Sequence, residues 1–201
     1  MIIMEDYNVW TKHAEGFPRQ HGPWTILERE TWTGKYGLRV HRDKVKRPDG
    51  KEGLYEWAEP KAGASVLPID SQNNIYLAKT FSYAGGVERL FAPGGGIEER
   101  DASHKETAIR ELAEELGIKA KRIEYAGLFR PIPGPVNCQQ YMYIARDIEL
   151  GKSDQESVER IKLIKMSLEE AVESIINPKN DIFDGQTDWI IMKAYLLSGK
   201  N

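Results

Sequence analysis

Glu111, Glu114 and Glu115 follow directly on Arg110 within the run GGGIEERDASHKETAIRELAEELGI, residues 94–118. In a helix of about 3.6 residues per turn, spacings of three and four bring these carboxylates to one face. Like charges at those spacings repel one another, and an ordinary solvated helix alternates Glu with Lys instead. Such a face calls for a cation. Carboxylate oxygens are the ligands that Mg²⁺ and Mn²⁺ take, and Mg²⁺ commonly keeps waters and substrate phosphate oxygens as its remaining ligands. An acidic run by itself is most simply a solvated surface. The glycines at 94–96, the arginine, and the pair Gly117-Ile118 behind the run set this one apart.

The helix that carries these groups needs a buried side, and Ile109, Leu112, Ala113 and Leu116 are expected to form it. Around it the chain reads as strands. The first 23 residues look like irregular lead-in, rich in Gly and Pro; Trp24 to Trp57 is β-rich, with Pro48-Asp49-Gly50 as a hairpin turn. GASVLPID and NIYLAKTF are apolar strands on either side of a polar turn, and RIEYAGLFR, QQYMYIARDI and ERIKLIKM are further strands. Ser167 is the expected N-cap of a helix LEEAVESII, and TDWIIMKAYLL is a second helix with Gly199 beyond its end. Division near residue 60 gives an N-terminal lead-in and β-rich unit, 1–60, and a main domain, 61–201. The class is α/β, an α/β/α sandwich with a mixed β-sheet plus an N-terminal antiparallel strand unit.

Composition narrows the function classes. The 201 residues carry a formal charge of −3, which gives no basic footprint for nucleic acid. Cys138 is the one cysteine, so no internal disulfide can form and a reducing, cytoplasmic setting is expected. No apolar run approaches the roughly 20 residues that span a bilayer, and the start MIIMEDYNVW lacks a basic and apolar leader, so no membrane partner is expected. His13, His21, His41 and His104 show no metal-ligand spacing and are expected at the surface or in incidental positions.

The stretch 94–118 resembles a Nudix box, G-x5-E-x7-R-E-U-x-E-E-x-G-U with U aliphatic. Gly96, Arg110, Glu111, Leu112, Glu114, Glu115, Gly117 and Ile118 fall in register, while the first Glu position holds Ala102, with Glu99 and Asp101 nearby. Anchored instead on Gly95 and Ile97, the loop before the helix has one extra residue. The N-terminal strands, the box, the Pro-Gly loop after it and the terminal helices together resemble the ADP-ribose and nucleotide-sugar pyrophosphatase branch over about residues 24–198. Departures from that branch are Phe91 where an acidic residue is usual, Ser82 near a usual Arg, and Cys138 or Gln139 at an acidic position.

The resemblance implies Mg²⁺ or Mn²⁺ bound by Glu111 and Glu115, then Glu114, with a main-chain carbonyl at Gly94. It implies that Arg110 orients a carboxylate and that a loop Glu acts as base, Glu156 before Glu159. An aromatic face for a base is sought among Trp32, Tyr36, Tyr55 and Trp57, with Pro133 and Gly134 shaping the far side of the pocket. The implied activity is hydrolysis of a nucleoside diphosphate derivative, ADP-ribose or a nucleotide sugar, to a nucleoside monophosphate and a sugar phosphate, by a homodimer. Another pyrophosphate substrate, a dinucleoside polyphosphate or a damaged nucleoside triphosphate, and a non-catalytic sensor of sugar nucleotides are the alternatives.

Overall fold

The structure is a computed structural model and describes residues 10–13, 15–151, 161–177 and 183–199. Two compact units emerge: the residues up to Lys61 together with Arg130–Cys138, and Ala62–Phe129 with the residues from Gln139 onward. Arg130–Cys138, which carries the Pro-Gly loop, thus groups with the N-terminal strands.

The first unit is an antiparallel sheet of β1 (Thr11–His13), β2 (Arg19–His21), β3 (Trp24–Thr33), β4 (Arg39–Lys46) and β5 (Glu52–Glu59), ordered β1-β3-β4-β5, with β2 also on β3. Part of the expected irregular lead-in therefore forms two short strands, because both align against the long β3. The 48–50 turn joins β4 to β5 as expected: Gly50 N–H donates to the Arg47 carbonyl at 2.9 Å, and Asp49 accepts from Lys51 N–H at 3.1 Å. Strand periodicity sends Thr31, His41, Asp43 and Val45 to one buried face. On the other, Glu30, Arg42 and Glu56 make exposed ion pairs.

The second unit contains β6 (Gly63–Pro68), β7 (Asn74–Ser82), β8 (Val87–Phe91), β9 (Gly94–Gly96), α1 (His104–Leu116), β10 (Ile118–Phe129), β11 (Gln140–Leu150), β12 (Lys162–Ser167), α2 (Leu168–Ile176) and α3 (Gly185–Leu197). One sheet runs β10-β11-β6-β9, with β11 and β6 parallel and the other pairs antiparallel, and a second runs β12-β7-β8. Period-two alternation builds two cores. Ala64, Val66, Tyr76, Ala78, Tyr143 and Ala145 pack with Ala108, Leu112 and Leu116 of α1. Their neighbours Leu67, Ile75, Leu77, Met142 and Ile144 pack with Leu168, Val172, Ile190 and Ile191 of α2 and α3. Strands buried on both faces between helices are the expected α/β/α sandwich with a mixed sheet.

The buried stripe of α1 differs from expectation in two members, of which Ala113 is only half-buried. Ile109 is 39% exposed, and Ala108 takes its place, since i, i+4, i+8 from Ala108 through Leu112 to Leu116 follows the helix more closely. Gly94–Gly96, absent from the expected strands, is a strand antiparallel to β6; three glycines show no side-chain alternation from which a strand could be read. Ser103 caps α1 by accepting from Glu106 N–H, and Gly117 ends it at φ 65°, a left-handed conformation that glycine adopts without Cβ strain. Ser167 and Glu170 form the full capping box of α2, while α3 starts two residues before Thr187, capped by Asp184. No described helix is long and apolar enough to cross a membrane.

Candidate active site

The acidic face of α1 is organised by one arginine. A guanidinium has five N–H groups, and Arg110 has an acceptor for each. Nε donates to Asp101 Oδ1 at 3.0 Å, and Nη2 to Asp101 Oδ2 at 3.1 Å and to the Gly96 carbonyl at 3.3 Å. Nη1 donates to Glu111 Oε1 at 2.8 Å and to Glu114 Oε2 at 2.9 Å. The bidentate pair sits with Asp101, and single bonds reach the two box carboxylates. Asp101 also accepts from Glu98 N–H and the Thr107 hydroxyl, both at 2.9 Å. Hydrogen bonding from Arg110, with Glu98 N–H next, holds the Asp101 carboxyl well below the usual range, and the same pairing raises the Arg110 pKa.

Glu111 lies against the backbone of β9. A Cβ on Gly95 would overlap its carboxylate, so glycine at 95 is what makes room. Burial pushes the Glu111 carboxyl up, opposed by Arg110. Gly94 N–H donates to Glu115 Oε2 at 3.2 Å, tying the same strand to the third carboxylate. Glu111, Glu114, Glu115 and Gly94 are therefore brought together, with Gly94 linked through its N–H. Four carboxylates, Glu98, Asp101, Glu111 and Glu114, pair with two guanidiniums, Arg100 and Arg110. Among the described residues no group of three or more His, Cys, Asp or Glu is arranged to hold an ion; Glu111 and Glu114 are turned to Arg110 Nη1. The donor set still fits a hard cation: a carboxylate offers about four lone-pair sites, and Arg110 takes one from each of these two.

Glu156 and Glu159 lie outside the described residues. Ser82, near the place of a usual Arg, accepts from Gly85 N–H at 3.2 Å and so closes the β7–β8 turn. Phe91 ends β8, half-buried. His104 does not stand free: its ring stacks on Tyr141 at 4.0 Å and hydrogen-bonds the Tyr143 hydroxyl, because the first turn of α1 lies over β11.

Within the first unit a cavity of about 820 Å³ is lined by Trp24, Tyr55, Trp57, Pro133 and Gly134 with Arg19, Arg29, Asp43, Arg130 and Cys138. It thus gathers four of the sequence candidates. Trp32 is not among its lining residues; its ring covers Gly34, where an added Cβ would stand 2.9 Å from it. Tyr36 is also outside the lining and almost fully exposed. Trp57 is engaged, with His41 stacked on it at 4.1 Å, the Arg29 guanidinium 5.0 Å from its ring, and Nε1 donating to Asp43 at 3.1 Å. Tyr55, 44% exposed, and Trp24, edge-on to it at 5.9 Å, offer the more open aromatic surface.

Arg29 binds Asp43 bidentately at 2.6 and 2.7 Å. Burial would raise the Asp43 pKa, but hydrogen bonds from Arg29 and Trp57 bring it down. His41, expected at the surface or in an incidental position, is buried between Thr31 at 2.9 Å and Glu59 at 3.4 Å. Sequence reading missed this network. The alternation Arg39, His41, Asp43, Val45 along β4 was the available signal, but it does not say which face is covered.

Comparison with known proteins supplies the family. A model described as "NUDIX domain" matches residues 59–184. The chain belongs to the NUDIX domain family. The matched span covers the acidic helix and the core packed on it, and ends just before α3. The chain is 24% identical over 176 residues to an ADP-ribose pyrophosphatase of Bacillus subtilis (strain 168), covering 86% of this chain and 92% of that one. A methanol dehydrogenase activator of Bacillus methanolicus is 25% identical over 178 residues, covering 86% and 91%. A solved structure titled "Crystal structure of ADP compounds hydrolase" superposes with a TM-score of 0.74 at 18% identity, covering 90% of this chain and 98% of that one, which bears out the NUDIX fold. The resemblance to the Nudix superfamily, and within it to the ADP-ribose branch, holds.

Proposed function

We propose that this protein is a divalent-cation-dependent pyrophosphatase that hydrolyses a nucleoside diphosphate linked to a sugar, ADP-ribose first, to a nucleoside monophosphate and a sugar phosphate. The observation that carries this reading is the α1 acidic face, in which Arg110 and the glycine strand β9 fix Glu111, Glu114 and Glu115 side by side. Glu111, Glu115 and Glu114 would hold Mg²⁺ or Mn²⁺, with a Gly94 carbonyl as a further ligand. The bound ion supplies charge neutralisation at the phosphoryl oxygens and activation of water. Arg110 Nη1 draws two of these carboxylates, Glu111 and Glu114, toward one point and orients them. Glu156 is the proposed base. In the first unit, the cavity of about 820 Å³ falls within the ordinary range for small-molecule sites. Tyr55 and Trp24 are its stacking surfaces for a base, with Trp57, Pro133 and Gly134 as its walls. A homodimer in a reducing cytoplasm completes the reading, the latter in keeping with a single cysteine.

The similarity to a methanol dehydrogenase activator favours one second reading, that the chain binds or cleaves a different nucleotide in an accessory role. Incubation with Mg²⁺ and a panel of ADP-ribose, nucleotide sugars, dinucleoside polyphosphates and nucleoside triphosphates separates the two. Nucleoside monophosphate released fastest from ADP-ribose or a nucleotide sugar is the expected result. Preferred cleavage of a dinucleoside polyphosphate or a triphosphate, or binding with intact ligand recovered, would replace it.

A further inference from the structure

Position 102, where the box resemblance calls for Glu, is an exposed alanine, whereas the Asp101 side chain is only 4% exposed and turned inward. Asp101 Oδ1 takes Arg110 Nε, and Oδ2 gathers Arg110 Nη2, Glu98 N–H and the Thr107 hydroxyl. One carboxylate is thereby fixed by the loop before α1, by the first turns of α1 and by the arginine. We propose that Asp101 is the positioning residue that stands in, one residue early, for the acidic side chain missing at 102.

The physical argument is one of donor count and charge. Asp101 satisfies one whole edge of the guanidinium and balances its charge. The other edge is left with single bonds to Glu111 and Glu114, and those carboxylates keep lone pairs and net negative charge for a cation. Without Asp101, the arginine charge falls undivided on Glu111 and Glu114 and competes with the cation. The proposal rests on the cation-dependent reading above.

Mn²⁺ binding to the purified full chain, followed by the electron paramagnetic resonance signal of free Mn²⁺, tests it alongside thermal melting. Asp101→Asn keeps the shape and removes the charge; the expected result is a folded protein whose Mn²⁺ affinity is weaker by about tenfold to a hundredfold, the range for partners that orient metal ligands. Ala102→Glu, exposed, is expected to leave affinity unchanged. A purely structural role would lower the melting temperature without moving the affinity of the folded protein. Thr107→Val, isosteric and without the hydroxyl that holds Asp101, is expected to weaken affinity to a smaller extent, and decides the matter should Asp101→Asn not fold. Wild-type affinity in the folded Asp101→Asn or Thr107→Val protein overturns the positioning role. A wild-type chain that binds no Mn²⁺ overturns the cation-dependent reading itself, and the positioning role with it.

Discussion

His41 is the residue whose protonation most directly touches the first unit. Burial lowers its pKa below the ordinary histidine value and outweighs the Glu59 hydrogen bond that pulls the other way. A histidine depressed in the folded state takes up its proton first in the unfolded chain, so its contribution to stability is complete above the unfolded value and declines as pH falls below it. Asp43, depressed by Arg29 and Trp57, contributes above its own unfolded value of 3.8, and that part is lost only in stronger acid. Denaturant unfolding is therefore expected to show stability falling as pH drops through about 6.5, the value of an unfolded histidine, and His41→Gln to flatten that slope. An unchanged slope would separate His41 from it. At this scale the box residues were legible because a fixed spacing along one helix names them. Asp101 and His41 were not, since their partners come from Arg110 nine residues on and from neighbouring strands.

The elements that position the site are α1 and β9, and the fit between them is steric. A methyl group on Gly95 must displace Glu111, whose carboxylate occupies that space. Gly95→Ala is expected to fold with a cost of about 1–3 kcal/mol for overpacking, and to lose turnover on the order of a hundredfold through misplacement of the carboxylate. Melting and steady-state kinetics on the same sample check both; full activity would mean that Glu111 need not lie where it does. The helix α2 could be read to the residue because its capping box is written in adjacent letters. The strand β9 could not, because glycine carries no pattern, and β8 escaped notice between polar and aromatic residues. The apolar stripe of α1 was misread at Ile109 and Ala113, a shift that leaves the carboxylate face in place.

For the whole molecule, the sandwich followed from its sequence because strands covered on both faces read as nearly continuous apolar runs, such as Ile75–Ala78 and Ala64–Leu67, the latter broken only by Ser65. The grouping of Arg130–Cys138 with the N-terminal strands did not, since it depends on bonds distant in sequence, such as Ala58 N–H to the Pro135 carbonyl at 2.8 Å. The proposed homodimer has a direct check. Light scattering coupled to size-exclusion chromatography is expected to give about twice the chain mass of 22.9 kDa. A mass of one chain would remove the dimer while leaving the carboxylate chemistry intact.

The acidic face of α1 is proposed to seat divalent cations for attack on a pyrophosphate. Phosphorus NMR of ADP-ribose with Mg²⁺ follows that bond itself. With the wild-type chain the two pyrophosphate resonances should give way to two phosphomonoester signals, and with folded Glu115→Gln the conversion should slow by at least about a hundredfold, as when a single electrostatic stabiliser is removed. Pyrophosphate resonances that persist with the folded wild-type protein, or conversion equally fast with Glu115→Gln, would contradict it.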